Sequence, residues 1–169
     1  MLARGLGTAA VVVVLDQLSK AAILGFFGER VFGGRETVTS FFNLTLTYNR
    51  GISFGLFNGG AGLNALIFSL AAAAIVAALV YWLSRVSSPF LAIAIGLIIG
   101  GAVGNVIDRL RLGAVVDFLD FHYGALHWPA FNLADSAICV GVVALLLDGL
   151  LRREPQTLEP RQRRVDSGC

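Results

Sequence analysis

The stretch Trp128–Ser136, WPAFNLADS, places a proline and aromatic side chains directly before a long apolar run. Such residues are typical of the boundary between a membrane and water. Asp135 lies about one helical turn into the apolar run. Because an ionised carboxylate within hydrocarbon is costly, an acid at this position indicates a functional site if it has a partner. We predict that this partner is Asp117, eighteen residues upstream.

The composition on either side of this stretch is that of an integral membrane protein. Of the 169 residues, 56% are hydrophobic and only 14% are charged, which is too apolar for an ordinary soluble domain. The apolar residues form four blocks, each about as long as a helix that crosses a bilayer. These blocks cover residues 7–27, 62–83, 90–107 and 131–150. We therefore predict an all-α polytopic membrane protein with four transmembrane helices in a single membrane-embedded domain, residues 1–151.

Basic residues predict the orientation of the chain. Five arginines lie within residues 152–169, which we expect to form a disordered cytoplasmic tail. The tail has no interleaved aromatic residues, so nucleic-acid binding is not expected. Four spans put both termini on one side, and the positive-inside rule makes that side cytoplasmic. In this orientation seven basic residues lie on the cytoplasmic side and six, among them Arg30, lie at or beyond the outer half of the membrane. Because the difference is one residue, the five arginines of the tail decide the predicted orientation.

The two longer connections between the spans differ in character from the apolar blocks. Within residues 28–60, apolar and threonine residues alternate from Leu44 to Tyr48, a pattern that predicts a strand. The turn residues that follow would let Ile52–Phe57 return as a second strand. We therefore expect a small extracytoplasmic sheet between the first two helices. Residues 110–128 are too polar to span, and Val115–Phe121 suits either a half-buried strand or an interfacial helix.

The third span carries small residues on one face and polar residues at its end. Gly96, Gly100 and Gly104 recur every fourth residue, which predicts close approach of another helix. Three polar side chains follow on the last turn of this predicted span. They are Asn105, Asp108 and Arg109.

The first span contains Asp16 and Lys20, which can pair at i, i+4 on one helix face. We favour a charge-neutralised structural pair. The alternative is that Lys20 is a general base for a serine nucleophile, either Ser53 or Ser136.

Asp117 and Asp135 flank the same connection and should lie near the same surface of the bilayer. Two carboxylates held together share a proton, so they form a matched acid and base that can activate water. The spacing alone supports a second explanation equally well. In that explanation each acid caps a helix or pairs with Arg109 or Arg111. Asp148 lies about 20 Å along the last helix and is expected to be a helix-end acid.

Two other kinds of function are less well supported by the pattern. His122 and His127 are five residues apart, which is not the spacing that lets two histidines bind one zinc ion on a helix. Cys139 and Cys169 form no CxxC motif. A transporter would need repeated halves or interrupted spans, which the sequence lacks. A non-catalytic protein that binds lipid or a signal helix remains open.

Five motifs in order resemble those of bacterial lipoprotein signal peptidase, the signal peptidase II family. They are Asp16 with Lys20, Tyr48–Gly55 (YNRGISFG), Gly101–Arg109 (GAVGNVIDR), Val115–Phe118 (VVDF) and Phe131–Ser136 (FNLADS). The resemblance extends from the first span to the fourth. The sequence departs from the family pattern at Ile52 and Ser53, where two alanines are usual, and conservatively at Trp128.

The resemblance implies an aspartic endopeptidase of the bacterial cytoplasmic membrane, with its active site near the outer face. It would remove signal peptides from prolipoproteins on the N-terminal side of an S-diacylglyceryl cysteine, without cofactor or metal. The implied partners are the lipid-modified prolipoprotein and membrane lipid, and the implied state is a monomer. Asp117 and Asp135 match the catalytic pair. Substrate-binding or supporting positions are matched by Asn49, Gly51, Asn105, Asp108, Arg109, Asn132 and Ala134, and by the pair Asp16 and Lys20.

Overall fold

The computed structural model describes residues 1–28, 34–51 and 60–151. Several predictions from the sequence fall outside these residues. They are the position of Arg30, the returning strand Ile52–Phe57, the candidate nucleophile Ser53 and the cytoplasmic tail 152–169.

Within the described residues, four long helices form the body of the protein. They are α1 (Leu2–Phe27), α2 (Gly60–Arg85), α3 (Pro89–Leu112) and α4 (Leu133–Leu151). Each contains a stretch long and apolar enough to cross a membrane, so the four predicted spans are confirmed.

Helix α3 is longer than the predicted span 90–107, because its polar end continues the helix. Its N-cap is Ser88, whose hydroxyl accepts a hydrogen bond from the Leu91 N–H at 3.4 Å. Its C-cap is Gly113, which adopts the left-handed conformation with φ 72°. Asn105 and Asp108 therefore lie inside the helix boundaries, and both side chains are buried.

A four-stranded antiparallel sheet lies at one end of the helices, in the order β1-β2-β3-β4. Its strands are β1 (Arg35–Thr39), β2 (Phe42–Asn49), β3 (Val115–Tyr123) and β4 (Leu126–His127). The predicted small sheet between helices 1 and 2 is confirmed by β1 and β2, but the sheet is larger than predicted. Strands β3 and β4 come from the connection between α3 and α4.

The apolar side of β2 explains why the sheet joins two distant parts of the chain. Leu46 is buried in a cluster with Ile23 of α1 and with Val116 and Phe118 of β3. Apolar side chains on the same face of adjacent strands stabilise the pairing of those strands, and β3 supplies such side chains opposite β2. The cluster packs the sheet against the end of α1 and holds the residues on either side of Asp117.

Helix α3 is central and packs against the other three helices. Its glycine row contacts α1: a Cβ added at Gly100 would lie 2.7 Å from both the carbonyl oxygen of Ala9 and the Cβ of Val12. A Cβ at Gly104 would lie 2.5 Å from an Asp16 carboxylate oxygen. The predicted close approach along this row is confirmed.

The Gly100→Ala variant is expected to lower the free energy of unfolding by about 1–3 kcal/mol, because a methyl group there has no space against the backbone of α1. Thermal unfolding of the purified protein in detergent measures the change. Gly149→Ala is the matched control, since a Cβ at Gly149 meets nothing within 4 Å. Equal stability of the two variants would show that α1 and α3 do not need this glycine.

Candidate active site

Asp117 and Asp135 reach the candidate site from different kinds of element. Asp117 lies in β3 between the buried residues Val116 and Phe118 and is itself only 2% exposed. Asp135 lies in the first turn of α4. The chain between them forms the rest of β3, β4 and the approach to α4.

Asn132 joins the two acids. Its Nδ2 donates a hydrogen bond to Asp117 Oδ1 at 2.7 Å. Its Oδ1 accepts from the backbone N–H of Asp135 at 2.9 Å, and its own N–H donates to Asp135 Oδ2 at 3.3 Å. Asn132 is completely buried, so one fixed amide contacts both halves of the predicted pair.

The bonds between Asn132 and Asp135 form a reciprocal capping box at the start of α4. The alternative that Asp135 caps a helix is therefore correct for one of its oxygens. Its other oxygen, Oδ1, accepts a hydrogen bond from Asn105 Nδ2 at 2.8 Å. Asp117 lies in a strand and caps no helix.

Asn49 and Gly51 form one wall of the site. Asn49 Nδ2 donates to Asp117 Oδ2 at 3.1 Å, and Asn49 Oδ1 accepts from the Gly51 N–H at 2.9 Å. Gly51 has φ 94°, which glycine adopts without strain. A cavity of about 370 Å³ opens beside Asp117. Its walls are Thr47, Tyr48, Asn49, Arg50, Gly51, Asp117, Pro129 and Ala130.

The pKa of the Asp117 carboxyl is raised to about 6. Burial is the largest cause, the hydrogen bond from Asn49 opposes it, and the negative charge of Asp135 raises the pKa further. Asn132 and Lys20 act in the lowering direction. A carboxyl group that titrates near neutral pH can both hold and release a proton during a reaction.

Lys20 is fully engaged in a buried charge cluster. Its Nζ lies 2.8 Å from Asp16 Oδ2, 2.8 Å from Asp108 Oδ2 and 3.2 Å from Asn105 Oδ1. These contacts favour the structural interpretation of the Asp16–Lys20 pair. The Ser136 hydroxyl donates to the Asn132 carbonyl at 2.9 Å, so the serine-lysine alternative gains no contact from it.

Gln17 was not predicted from the sequence. Its Nε2 donates to Asp16 Oδ2 at 3.2 Å and to Asp108 Oδ1 at 3.0 Å, so it crosses from α1 to α3. Its Oε1 accepts from Arg111 at 3.4 Å. The available signal was a second polar residue next to Asp16 within an otherwise apolar span.

The two arginines near the site have other contacts. Arg109 donates to the carbonyl of Asn105 at 3.4 Å, and its guanidinium lies 5.7 Å from the centre of the Phe68 ring. Arg111 contacts Gln17. These contacts do not favour the alternative in which each acid pairs with an arginine.

The histidine pair packs ring against ring. The ring centres of His122 and His127 are 4.9 Å apart, and His127 Nδ1 lies 2.8 Å from Asp120 Oδ1. Burial favours a higher pKa for the Asp120 carboxyl, but the hydrogen bonds from Asn43 and His127 outweigh it and lower the pKa.

Within residues 1–28, 34–51 and 60–151, no cluster of three His, Cys, Asp or Glu residues suits a metal ion.

Comparison with known proteins identifies the family. Residues 8–151 match the family model described as signal peptidase (SPase) II. Proteins described as lipoprotein signal peptidase in Burkholderia mallei (strain SAVP1) and Burkholderia cenocepacia (strain HI2424) are each 48% identical over 152 residues, which cover 89% of this chain and 90% of each relative.

Two solved structures of bacterial membrane enzymes have the same fold. One has a TM-score of 0.74 and 30% sequence identity, covering 94% of this chain and 94% of its own. The other has a TM-score of 0.75 and 32% identity, covering 89% of this chain and 94% of its own. On the family model, the relatives and the fold together, the chain belongs to the signal peptidase II family of membrane peptidases.

Proposed function

We propose that this protein is an aspartic endopeptidase that removes signal peptides from bacterial prolipoproteins. The bond it cleaves lies on the N-terminal side of an S-diacylglyceryl cysteine. The observation that carries the proposal is that one buried residue, Asn132, donates hydrogen bonds to both carboxyl groups, from its side chain to Asp117 and from its backbone N–H to Asp135. The relatives described as lipoprotein signal peptidases support the choice of substrate.

The surroundings of the two acids suggest different roles. Asp135 lies in the first turn of α4, where the helix dipole stabilises a negative charge. We assign it the ionised form that activates water. Asp117, with its pKa raised to about 6 by burial and by Asp135, holds the proton and donates a hydrogen bond to the scissile carbonyl.

In the first step Asp135 takes a proton from water while the water oxygen attacks the carbonyl carbon. Asp117 gives its proton to the carbonyl oxygen, so a neutral gem-diol forms. In the second step Asp135 passes its proton to the leaving nitrogen and the C–N bond breaks. One hydroxyl of the gem-diol returns a proton to Asp117, so the pair regains its starting state.

The proposed location is the bacterial cytoplasmic membrane, with both termini and the tail 152–169 in the cytoplasm. The site then lies near the outer face, at the end of the bundle that carries the sheet. Trp128, 69% exposed just before α4, is a side chain suited to that interface. The acyl chains and signal helix of a prolipoprotein would present the scissile bond at this depth. A monomeric single domain, residues 1–151, suffices for this role.

The function is tested with a precursor whose cysteine carries a diacylglyceryl group. The purified chain is expected to release a peptide whose mass places the cut directly before that cysteine. A precursor with an unmodified cysteine is the control and is expected to be cleaved far more slowly. If the lipid-modified precursor is bound but never shortened, the protein is a binding protein and the proposal is wrong.

The Asp117→Asn variant is expected to be more stable than the wild type at pH 8 but not at pH 4. A carboxyl whose folded pKa is about 6 instead of 3.8 loses stability as pH rises through that interval, by up to about 3 kcal/mol. The lost hydrogen bond to Asn49 offsets about 1 kcal/mol of this gain. Thermal unfolding at both pH values measures the difference. A stability gain that does not depend on pH would contradict the assignment.

A further inference from the structure

The residues immediately before the two acids are held in the same way. Ala134, which precedes Asp135, donates its backbone N–H to Asp16 Oδ1 at 3.0 Å. Val116, which precedes Asp117, donates its backbone N–H to Asp108 Oδ2 at 3.1 Å. Ala134 and Val116 are both completely buried. Each acid of the proposed pair is thus attached, through the preceding peptide, to a separate buried carboxylate.

The two holding carboxylates are joined twice. Lys20 Nζ lies 2.8 Å from an oxygen of Asp16 and 2.8 Å from an oxygen of Asp108. Gln17 Nε2 lies 3.2 Å from Asp16 Oδ2 and 3.0 Å from Asp108 Oδ1. A continuous chain of contacts therefore runs from Ala134 to Val116 through four side chains of α1 and α3.

This cluster lies behind the pair and away from the substrate cavity. None of its four side chains is among the residues that line the cavity beside Asp117. Asp16, Lys20 and Asp108 are at most 3% exposed. The cluster therefore acts on the pair from behind, through the backbone N–H groups that it holds, through the contact of Lys20 with Asn105, and through the charge of Lys20.

We infer that Asp16, Lys20, Asp108 and Gln17 are positioning residues that set the distance between the carboxyl groups of Asp117 and Asp135. The inference rests on the proposed function. Hydrogen bonds from N–H groups to carboxylates are among the stronger ones in proteins. Lys20 also holds the carboxylates of Asp16 and Asp108 at fixed distances from the same cation. Since a displacement of about 1 Å in a reacting group can cost about 10²-fold in rate, a rigid spacer of this kind affects turnover directly.

The packing of α4 against α3 supports this role. A Cβ added at Gly104 would lie 2.5 Å from Asp16 Oδ2 and 3.5 Å from the Ala134 Cβ. Gly101 faces the carbonyl of Ala134 and the Ile138 side chain. The start of α4 can therefore reach the Asp16 carboxylate only because α3 has no side chains at these two positions.

The experiment compares alanine and asparagine at the two holding positions. Asp16→Ala and Asp108→Ala remove the acceptor of the backbone N–H, whereas Asp16→Asn and Asp108→Asn keep an acceptor oxygen. Each single change leaves Lys20 paired with one carboxylate, so the buried cation stays neutralised. For the folded, purified variants we expect the alanine changes to lower kcat about 10–100-fold with KM within twofold. The asparagine variants are expected to recover most of the lost kcat.

The control is Ile95→Val, a core change in the cluster formed with Leu83 and Ala92. It is expected to lower the melting temperature while kcat per folded molecule stays unchanged. The inference is overturned if Asp16→Ala and Asp108→Ala only lower the melting temperature, as this control does, or if KM changes in place of kcat. Failure of the proposed function is separate: it would appear as normal cleavage by Asp117→Asn or Asp135→Asn.

Discussion

Asp117→Asn and Asp135→Asn are each expected to lower kcat for cleavage of a lipid-modified precursor by at least about 10³-fold. This corresponds to about 4 kcal/mol of lost transition-state stabilisation. Asparagine at position 135 cannot take a proton from water, and asparagine at position 117 cannot give one to the carbonyl oxygen. Single-turnover cleavage assays, with product separated by mass, measure the loss.

The geometry argues that these variants will remain folded. Asp117 accepts hydrogen bonds from Asn49 and Asn132, and an asparagine oxygen can keep one of them. Asp135→Asn can likewise keep one of the bonds that Asp135 accepts from Asn105 and the Asn132 N–H. Lost activity with an unchanged elution profile and a melting temperature no lower than that of the wild type would therefore report on chemistry.

Asp148→Asn is the matched control. Asp148 lies on the same helix, thirteen residues or about 20 Å further along, and is expected to tolerate the change with kcat within twofold. Near-normal turnover by either Asp117→Asn or Asp135→Asn would remove the proposed mechanism. A serine-directed acylating agent should leave the wild type active, which separates this mechanism from the serine-lysine alternative.

The four helices could be predicted because the length of an apolar run directly encodes a span. The Asp16–Lys20 pair and the glycine row could also be predicted, since each depends on spacing within one helix. These features need no information about distant parts of the chain. Contacts between different helices could not be predicted in this way. The sequence does not show, for example, that Lys20 of α1 also contacts Asp108 of α3.

The sheet shows where sequence analysis reached its limit. Alternation identified a strand near Leu44–Tyr48 and left Val115–Phe121 as strand or helix, yet these segments pair across about 70 residues, with Thr47 opposite Asp117. Periodicity reports the faces of a strand but not its neighbour. The end of α3 was misplaced for a related reason. Asp108 was predicted on the last turn of the third span, whereas α3 continues to Leu112 and Lys20 of another helix neutralises Asp108 in the interior.

Lys20→Met is expected to lower the free energy of unfolding by about 3–5 kcal/mol. Removal of the cation leaves the carboxylates of Asp16 and Asp108, at 0% and 3% side-chain exposure, buried without the charge that balances them. For a chain of this size the melting temperature should fall by about 10 °C. Thermal unfolding in detergent, followed by circular dichroism, measures the change.

A charge-free combination separates a structural role of Lys20 from a catalytic one. Lys20→Met with Asp16→Asn and Asp108→Asn removes all three charges but keeps acceptor oxygens for the N–H groups of Ala134 and Val116. Because buried ion pairs can often be replaced by neutral groups without loss of stability, this triple variant should regain most of the lost melting temperature. It should also retain cleavage within about 100-fold of the wild type. A folded triple variant that cleaves as poorly as Asp117→Asn would instead make Lys20 a group that takes part in proton transfer.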